Sequence, residues 1–180
     1  MQESFYIFLS YLGSSVYTTM NTFIMSFFVG LRDIGIYSSA DKVVMTAQSL
    51  MSPIHQAIFP NLSSFSDKNE YLNKFKKYGL ILFSVASLIS VSLFFLSKII
   101  VLILFGKEFY ESYKILQLLS PLPLIISLGV IFGQWGLIAI GESKILGKIY
   151  LIAGLLHLSY IFILLKLDGI YGAAISIVLT

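Results

Sequence analysis

The chain has 180 residues, of which 57% are hydrophobic and 12% are charged, and its mean hydropathy is +0.89. A soluble domain of this size carries roughly twice that charged fraction, so composition predicts an integral membrane protein. The net charge of +3 without arginine-rich or glycine-rich segments argues against nucleic-acid binding, and the absence of cysteine excludes disulfides and thiolate chemistry.

Six apolar segments follow one another along the chain. The first, Phe5–Val29, has no charged residue and exceeds the ~20 residues that a helix needs to cross the hydrocarbon core. The last, Ile170–Thr180, is too short to span at about 1.5 Å per residue, which is typical of a truncated chain. We therefore expect one all-α transmembrane bundle over residues 1–180, with five complete spans and a truncated sixth. The middle spans are Ile34–Phe59, Tyr78–Leu96 (with Ile99–Phe105 as a possible extension), Lys114–Ile140 and Ile145–Leu165.

Lysines in the connecting segments predict the orientation of the bundle. The two sides differ little in their total of basic residues, but Asn61–Lys77 holds a compact cluster of four lysines. Because loops rich in lysine and arginine stay in the cytoplasm, we expect this segment to be cytoplasmic.

The second predicted span carries the most unusual chemistry. Five of its polar residues recur at helical spacing, so they share one face that should meet other helices or a water-filled cavity instead of lipid. Asp41 and its neighbour Lys42 leave three interpretations open: snorkelling near the interface, lining of a cavity, or proton coupling. The face consists of Ser38, Asp41, Gln48, Ser52 and His55.

Pro53 lies inside the same span and removes a helical hydrogen bond, so we expect a kink there. Such a kink is compatible either with a transport site or with static packing. His55 and Gln56 follow the proline, and a lone membrane histidine more often bonds a neighbouring helix than titrates.

Elsewhere, small and polar residues chiefly predict packing. Asn21 is the candidate exception among the small hydroxyl residues of the first span, and Gly129 and Gly133 form a G-x-x-x-G packing spacing. Trp135 is either an interface anchor or a cavity wall, and His157 is expected in the core. No catalytic motif, phosphate loop or metal-ligand spacing occurs, so we expect neither an enzyme nor a cofactor.

Three stretches together resemble the Wzx-type polysaccharide flippases, in the superfamily that also holds the multidrug and toxic compound extruders. They are Asn21–Ser63, which contains the SP-x-x-Q pattern, Leu104–Leu128 and Gly147–Ser176. The resemblance covers nearly the whole chain and matches the second six-helix half of a twelve-helix flippase. It implies that Asp41, Lys42, Gln48, His55 and Gln56 occupy family positions in the substrate path.

By this resemblance, the full-length protein would move an undecaprenyl-pyrophosphate-linked oligosaccharide across the bacterial inner membrane, with a polysaccharide polymerase and chain-length machinery as possible partners. The resemblance also places Asn61–Lys77 in the cytoplasm. Three alternatives remain: a drug or cation antiporter of the same superfamily, a membrane enzyme such as an O-antigen polymerase, and an inactive remnant of a disrupted flippase gene. Against the antiporter, only Asp41 is a buried-acid candidate; against the polymerase, no loop is long enough.

Overall fold

The computed structural model describes residues 8, 11, 13–15, 20–63, 68–138 and 140–180. All regular structure within these residues is helical, as expected for the all-α class. The elements are α1 (Met20–Met25), α2 (Leu31–Ser49), α3 (Ser52–Ser63), α4 (Lys68–Phe105), a short 3₁₀ helix (Lys107–Phe109), α5 (Ser112–Leu119), α6 (Leu122–Gly129), a π-helix (Val130–Ile138) and α7 (Ser143–Leu179).

In the described part of the chain, three stretches are long and apolar enough to cross a membrane: Asn69–Phe105, Ser112–Ile138 and Ser143–Leu179. This is fewer than the five complete spans and the sixth partial span expected, and 10 of the 25 residues of Phe5–Val29 lie outside the described residues. Large apolar side chains such as Leu88 and Phe95 are exposed on these helices, as expected for surfaces that contact lipid.

The second and third predicted spans have different bounds from those expected. The second is two helices, α2 and α3, which are interrupted at Leu50–Met51. The third begins ten residues earlier, because Lys68–Lys77 forms the first turns of α4 instead of a loop. At about 1.5 Å per residue its 38 residues extend about 57 Å, well beyond a hydrocarbon core of ~30 Å. One end of α4 therefore extends beyond a hydrocarbon core of that thickness, and Lys68–Lys77 is its lysine-rich end.

The fourth predicted span is divided into α5, α6 and the π-helix. Pro121 and Pro123 lie at the boundary between α5 and α6, as the lack of a proline N–H predicts. The π-helix was not expected from the sequence. Gly133 and Gly136 lie within it, and glycine weakens the preference for regular α-helix.

A turn at Gly169 divides α7 into two arms, as the sequence predicted at Lys166–Gly169. Gly169 has φ 54° and ψ −128°, a conformation that favours glycine. The second arm returns along the first, since the Tyr160 hydroxyl donates to the Ser176 carbonyl at 3.3 Å and His157 Nδ1 lies 2.9 Å from Thr180 Oγ1. We call this pair of arms the α7 hairpin.

Buried apolar side chains form two clusters. The large core joins α2, α5 and the α7 hairpin through residues such as Tyr37, Ile115 and Ile161. The small core joins α3, α4 and the π-helix and is built on Leu62, Leu82, Ile131 and Trp135, with Met51 from the interruption between α2 and α3. The candidate site lies at the small core.

Candidate functional site

A pocket of about 610 Å³ opens where α2 and α3 meet α6 and the π-helix. Met51 and Leu82 connect its wall to the small core. We call it the polar pocket, because most of its chemistry comes from one group of side chains: Gln48, Ser49, Ser52, His55, Gln56 and Gln134.

The interruption between α2 and α3 positions four of these side chains. Leu50 keeps helical dihedrals of φ −65° and ψ −23°, while Met51 N bonds to the Gln48 carbonyl at 3.0 Å, one residue shorter than an α-helical bond. Pro53 is the second residue of α3, where a missing N–H costs little. The disturbance expected at Pro53 thus lies in the turn that precedes it.

His55 bridges α3 and the π-helix. Its side chain interacts with that of Gln134, and its ring centroid lies 5.8 Å from that of Trp135. The His55 ring also stacks on that of Phe59, with centroids 6.2 Å apart and an interplanar angle of 9°. His55 Nε2 is buried and has no hydrogen-bond partner in the part of the chain that the structure describes. His55 thus interacts with a neighbouring helical segment, as expected, while its Nε2 stays without a partner in the described chain.

Gln56 and Ser52 form a pair one turn apart on α3. Gln56 Nε2 donates to Ser52 Oγ at 2.9 Å, and both side chains are exposed. Because Ser52 Oγ is the acceptor in this bond, the Ser52 hydroxyl can still donate its own proton to another group. The pair presents a donor and acceptors to the polar pocket.

Trp135 lies behind His55 and is fully buried. Burial at the small core argues against an interface anchor, and Trp135 is not among the residues that line the polar pocket, so neither expected role is seen. Its indole Nε1 has no partner among the described residues, whereas its carbonyl accepts a 2.7 Å hydrogen bond from Tyr71 Oη. Tyr71 thus connects the lysine-rich first turns of α4 to the π-helix. Neither this bond nor the π-helix had a signal in the sequence.

The remaining predicted site residues lie outside the polar pocket. Asn21 is buried and donates through Nδ2 to Tyr37 Oη at 2.8 Å. Asp41 is half-buried one turn after Tyr37, and Lys42 is exposed. Ser38 is half-buried on α2. The expected continuous polar face is thus divided, because Ser38 and Asp41 lie outside the polar pocket that the other members of the face line. The roles of these residues stay predictions.

Two packing expectations agree with the structure. A Cβ built on Gly133 would lie 2.8 Å from Leu146 Cδ1, and one on Gly129 would lie 3.5 Å from Tyr150 Oη, so both glycines face α7. His157 is fully buried, as expected for a core residue. Within the described residues, no group of three or more His, Cys, Asp or Glu side chains is arranged to hold a metal ion.

Comparison with known proteins confirms the resemblance to polysaccharide flippases. A family model described as "Polysaccharide biosynthesis protein" matches residues 1–66. Over all 180 residues the chain is 39% identical to a Shigella dysenteriae protein named "Putative O-antigen transporter", and it is 32% identical to an Escherichia coli protein of the same name, again over its whole length. It is 27% identical, over 97% of its length, to the "Probable low-salt glycan biosynthesis flippase Agl15" of Haloferax volcanii.

The chain spans less than half the length of these curated relatives. The matches cover 45%, 44% and 38% of the three proteins respectively. No solved structure matches the chain.

Proposed function

We propose that this chain is part of a flippase that moves an undecaprenyl-pyrophosphate-linked oligosaccharide, the repeat unit of O-antigen or another polysaccharide, across the bacterial inner membrane. The observation that carries the proposal is the match of all 180 residues to a protein named as an O-antigen transporter. The similarity to a protein named as a glycan flippase supports the same class of cargo.

The polar pocket supports a translocation role. A glycan head group is rich in hydroxyls and loses hydrogen bonds to water in the hydrocarbon core, so it needs polar side chains along its path. Gln48, Ser52, His55 and Gln56 supply such groups on an interrupted helix, which is a common location for transporter sites. A drug or cation antiporter is less well supported, because no acidic residue of the described chain lines this pocket and the relatives are named for O-antigen or glycan.

Loading from the cytoplasm belongs to the same proposal. The lysine-rich first turns of α4 are joined to the π-helix behind the pocket through Tyr71, which bonds the Trp135 carbonyl. If Asn61–Lys77 is cytoplasmic, the polar pocket lies toward the leaflet in which lipid-linked repeat units are assembled. Lys42, exposed on α2, is this chain's candidate contact for the pyrophosphate.

Surface glycan staining in the strain that carries the gene tests the proposal. Deletion should abolish display of the glycan and cause lipid-linked repeat units to accumulate inside the cell, and the intact gene should restore display. Asp41→Ala and Lys42→Ala should each impair the restoration, whereas Asp33→Ala, at the exposed start of α2, should not. Normal display after deletion would refute the proposed function.

A further inference from the structure

We infer that the polar pocket binds a sugar ring of the translocated glycan and not its pyrophosphate. The inference rests on the proposed function, and it assigns to this pocket one chemical part of the cargo, a neutral ring rich in hydroxyl groups.

The charge of the pocket argues against a phosphate ligand. None of its lining residues is a lysine, arginine, aspartate or glutamate within the described chain. Phosphate oxygens are bound in proteins mainly by charged donors, and an anion in a low-dielectric site without such partners loses more hydration energy than it regains. Lys42, the nearest candidate cation on α2, does not line the pocket.

The hydrogen-bonding groups match a sugar. Gln48, Gln56 and Gln134 each present an amide with donors and an acceptor, and a sugar hydroxyl likewise both donates and accepts. Ser52 adds a hydroxyl whose oxygen already accepts from Gln56. Groups of this type bind neutral hydroxyls without the cost of burying a charge.

A buried nitrogen at the wall supplies a second, independent observation. His55 lines the pocket, and its Nε2 lacks a hydrogen-bond partner among the described residues. A buried polar nitrogen without a partner is unfavourable, so such an atom next to a pocket points to a ligand group that can pair with it. A sugar hydroxyl can serve His55 Nε2 in either tautomer.

The shape and the apolar part of the lining fit the same ligand. The volume of about 610 Å³ lies within the range of small-molecule sites, so a pyranose ring fits. Met45, Met51 and Leu82 line the pocket beside the polar groups. A sugar ring has hydroxyl edges and C–H faces, and a wall of amides and apolar side chains meets both.

Binding to the purified protein in phospholipid nanodiscs tests the inference with two probes. One is a short isoprenyl pyrophosphate carrying the strain's repeat-unit oligosaccharide, and the other is the same isoprenyl pyrophosphate without sugar. The wild type should bind the glycan-bearing probe more tightly. Gln134→Leu should reduce this preference severalfold while leaving the affinity for the sugarless probe unchanged, and that unchanged affinity also shows that the variant is folded.

Gln56→Leu, an exposed change on another helix, should reduce the preference in the same way, and Gln117→Leu, outside the pocket, should not. The inference is overturned if the wild type binds both probes equally well, or if Gln134→Leu and Gln56→Leu both retain the preference for the glycan-bearing probe. It is also overturned if these variants weaken binding of the sugarless probe as much as binding of the glycan-bearing probe. Should the gene remain essential for glycan display in that case, the proposed function stands and only the assignment of the sugar to this pocket fails.

Discussion

The two histidines of this chain lie in contrasting regions of the bundle. His157 is fully buried in the α7 hairpin, with Nδ1 2.9 Å from Thr180 Oγ1 and its ring against Tyr160. His55 is half-buried and lines the polar pocket, where Nε2 has no partner among the described residues. The sequence presents both as single histidines in apolar helices, so the difference arises from how tightly the surrounding helices pack.

The backbone explains that difference. In the α7 hairpin, Gly172 lies so close to the Leu164 carbonyl that the two arms leave no space between them. Around His55, the interruption at Leu50–Met51 and the neighbouring π-helix both depart from regular α-helix, and side chains there cannot interlock in the same way. A closed region thus holds the fold, and an open region provides the site.

The largest effect should come from adding a methyl group where the two arms of the α7 hairpin are in contact. Gly172→Ala places a Cβ against the Leu164 carbonyl, a backbone atom that cannot rotate away. Overpacking of this kind typically costs about 1–3 kcal/mol, so the variant should unfold at a clearly lower temperature in detergent. Gly30→Ala is the control, because a Cβ there meets nothing within 4 Å. Equal melting of Gly172→Ala and the wild type would show that the arms are not packed this closely.

The second-largest effect should come from replacing each histidine, and it should distinguish a functional role from a packing role. His55→Leu should lower glycan display about tenfold or more at normal protein level, which equals about 1.4 kcal/mol of lost stabilisation along the transport path. His157→Leu should lose an interhelical bond of about 0.6–1.7 kcal/mol and reduce display only in proportion to the amount of protein. Immunoblotting alongside glycan staining distinguishes the two cases. If glycan display falls in proportion to protein level in both variants, His55 has no role beyond packing.

A milder change tests access by water. The chain has no cysteine, so Ser52→Cys and Ser176→Cys each introduce a single thiol. Ser52 is exposed at the polar pocket, so the thiol that replaces its hydroxyl should react rapidly with a membrane-impermeant maleimide. Ser176 is fully buried in the hairpin, and a thiol there should react only after denaturation. If the Ser52→Cys variant is unreactive while folded, the pocket does not admit water.

The smallest effect should follow removal of one hydroxyl from the open region. Tyr71→Phe deletes the donor to the Trp135 carbonyl, and a bond of this type contributes about 0.5–1.5 kcal/mol. Thermal unfolding should detect a slight loss. Tyr78→Phe is the matched control on the same helix, because its hydroxyl makes no hydrogen bond within the described chain. A larger loss at Tyr78 would contradict the assigned contact.

Helical spacing predicted that part of the polar face stays together, while the functional role of these residues stays a prediction. Gln48, Ser52 and His55 do share a wall, because positions separated by three, four and seven residues stay together even across a small interruption. Ser38 and Asp41 lie nearer the N-terminal end of α2 and do not line the pocket. The turn at Gly169 was also predictable, since a charged, glycine-containing tetrapeptide between two apolar runs favours reversal of the chain.

Other features depend on contacts that no spacing encodes. Val130–Ile138 is apolar almost throughout, so its sequence does not distinguish a π-helix from an α-helix, and the bond from Tyr71 that supports it comes from 64 residues away. Gln134 was visible as a polar residue beside a glycine motif, but its approach to His55 depends on where the π-helix places it. The tertiary arrangement therefore decided which polar residues form the site.

The burial of Trp135 next to His55 has a practical consequence, because it is the only tryptophan in the sequence. Ultraviolet emission excited at the red edge of the absorption band therefore originates from a single indole beside the pocket. Its spectrum, lifetime and anisotropy act as an optical readout of that location, with no dye attached and no background from a second fluorophore of its kind.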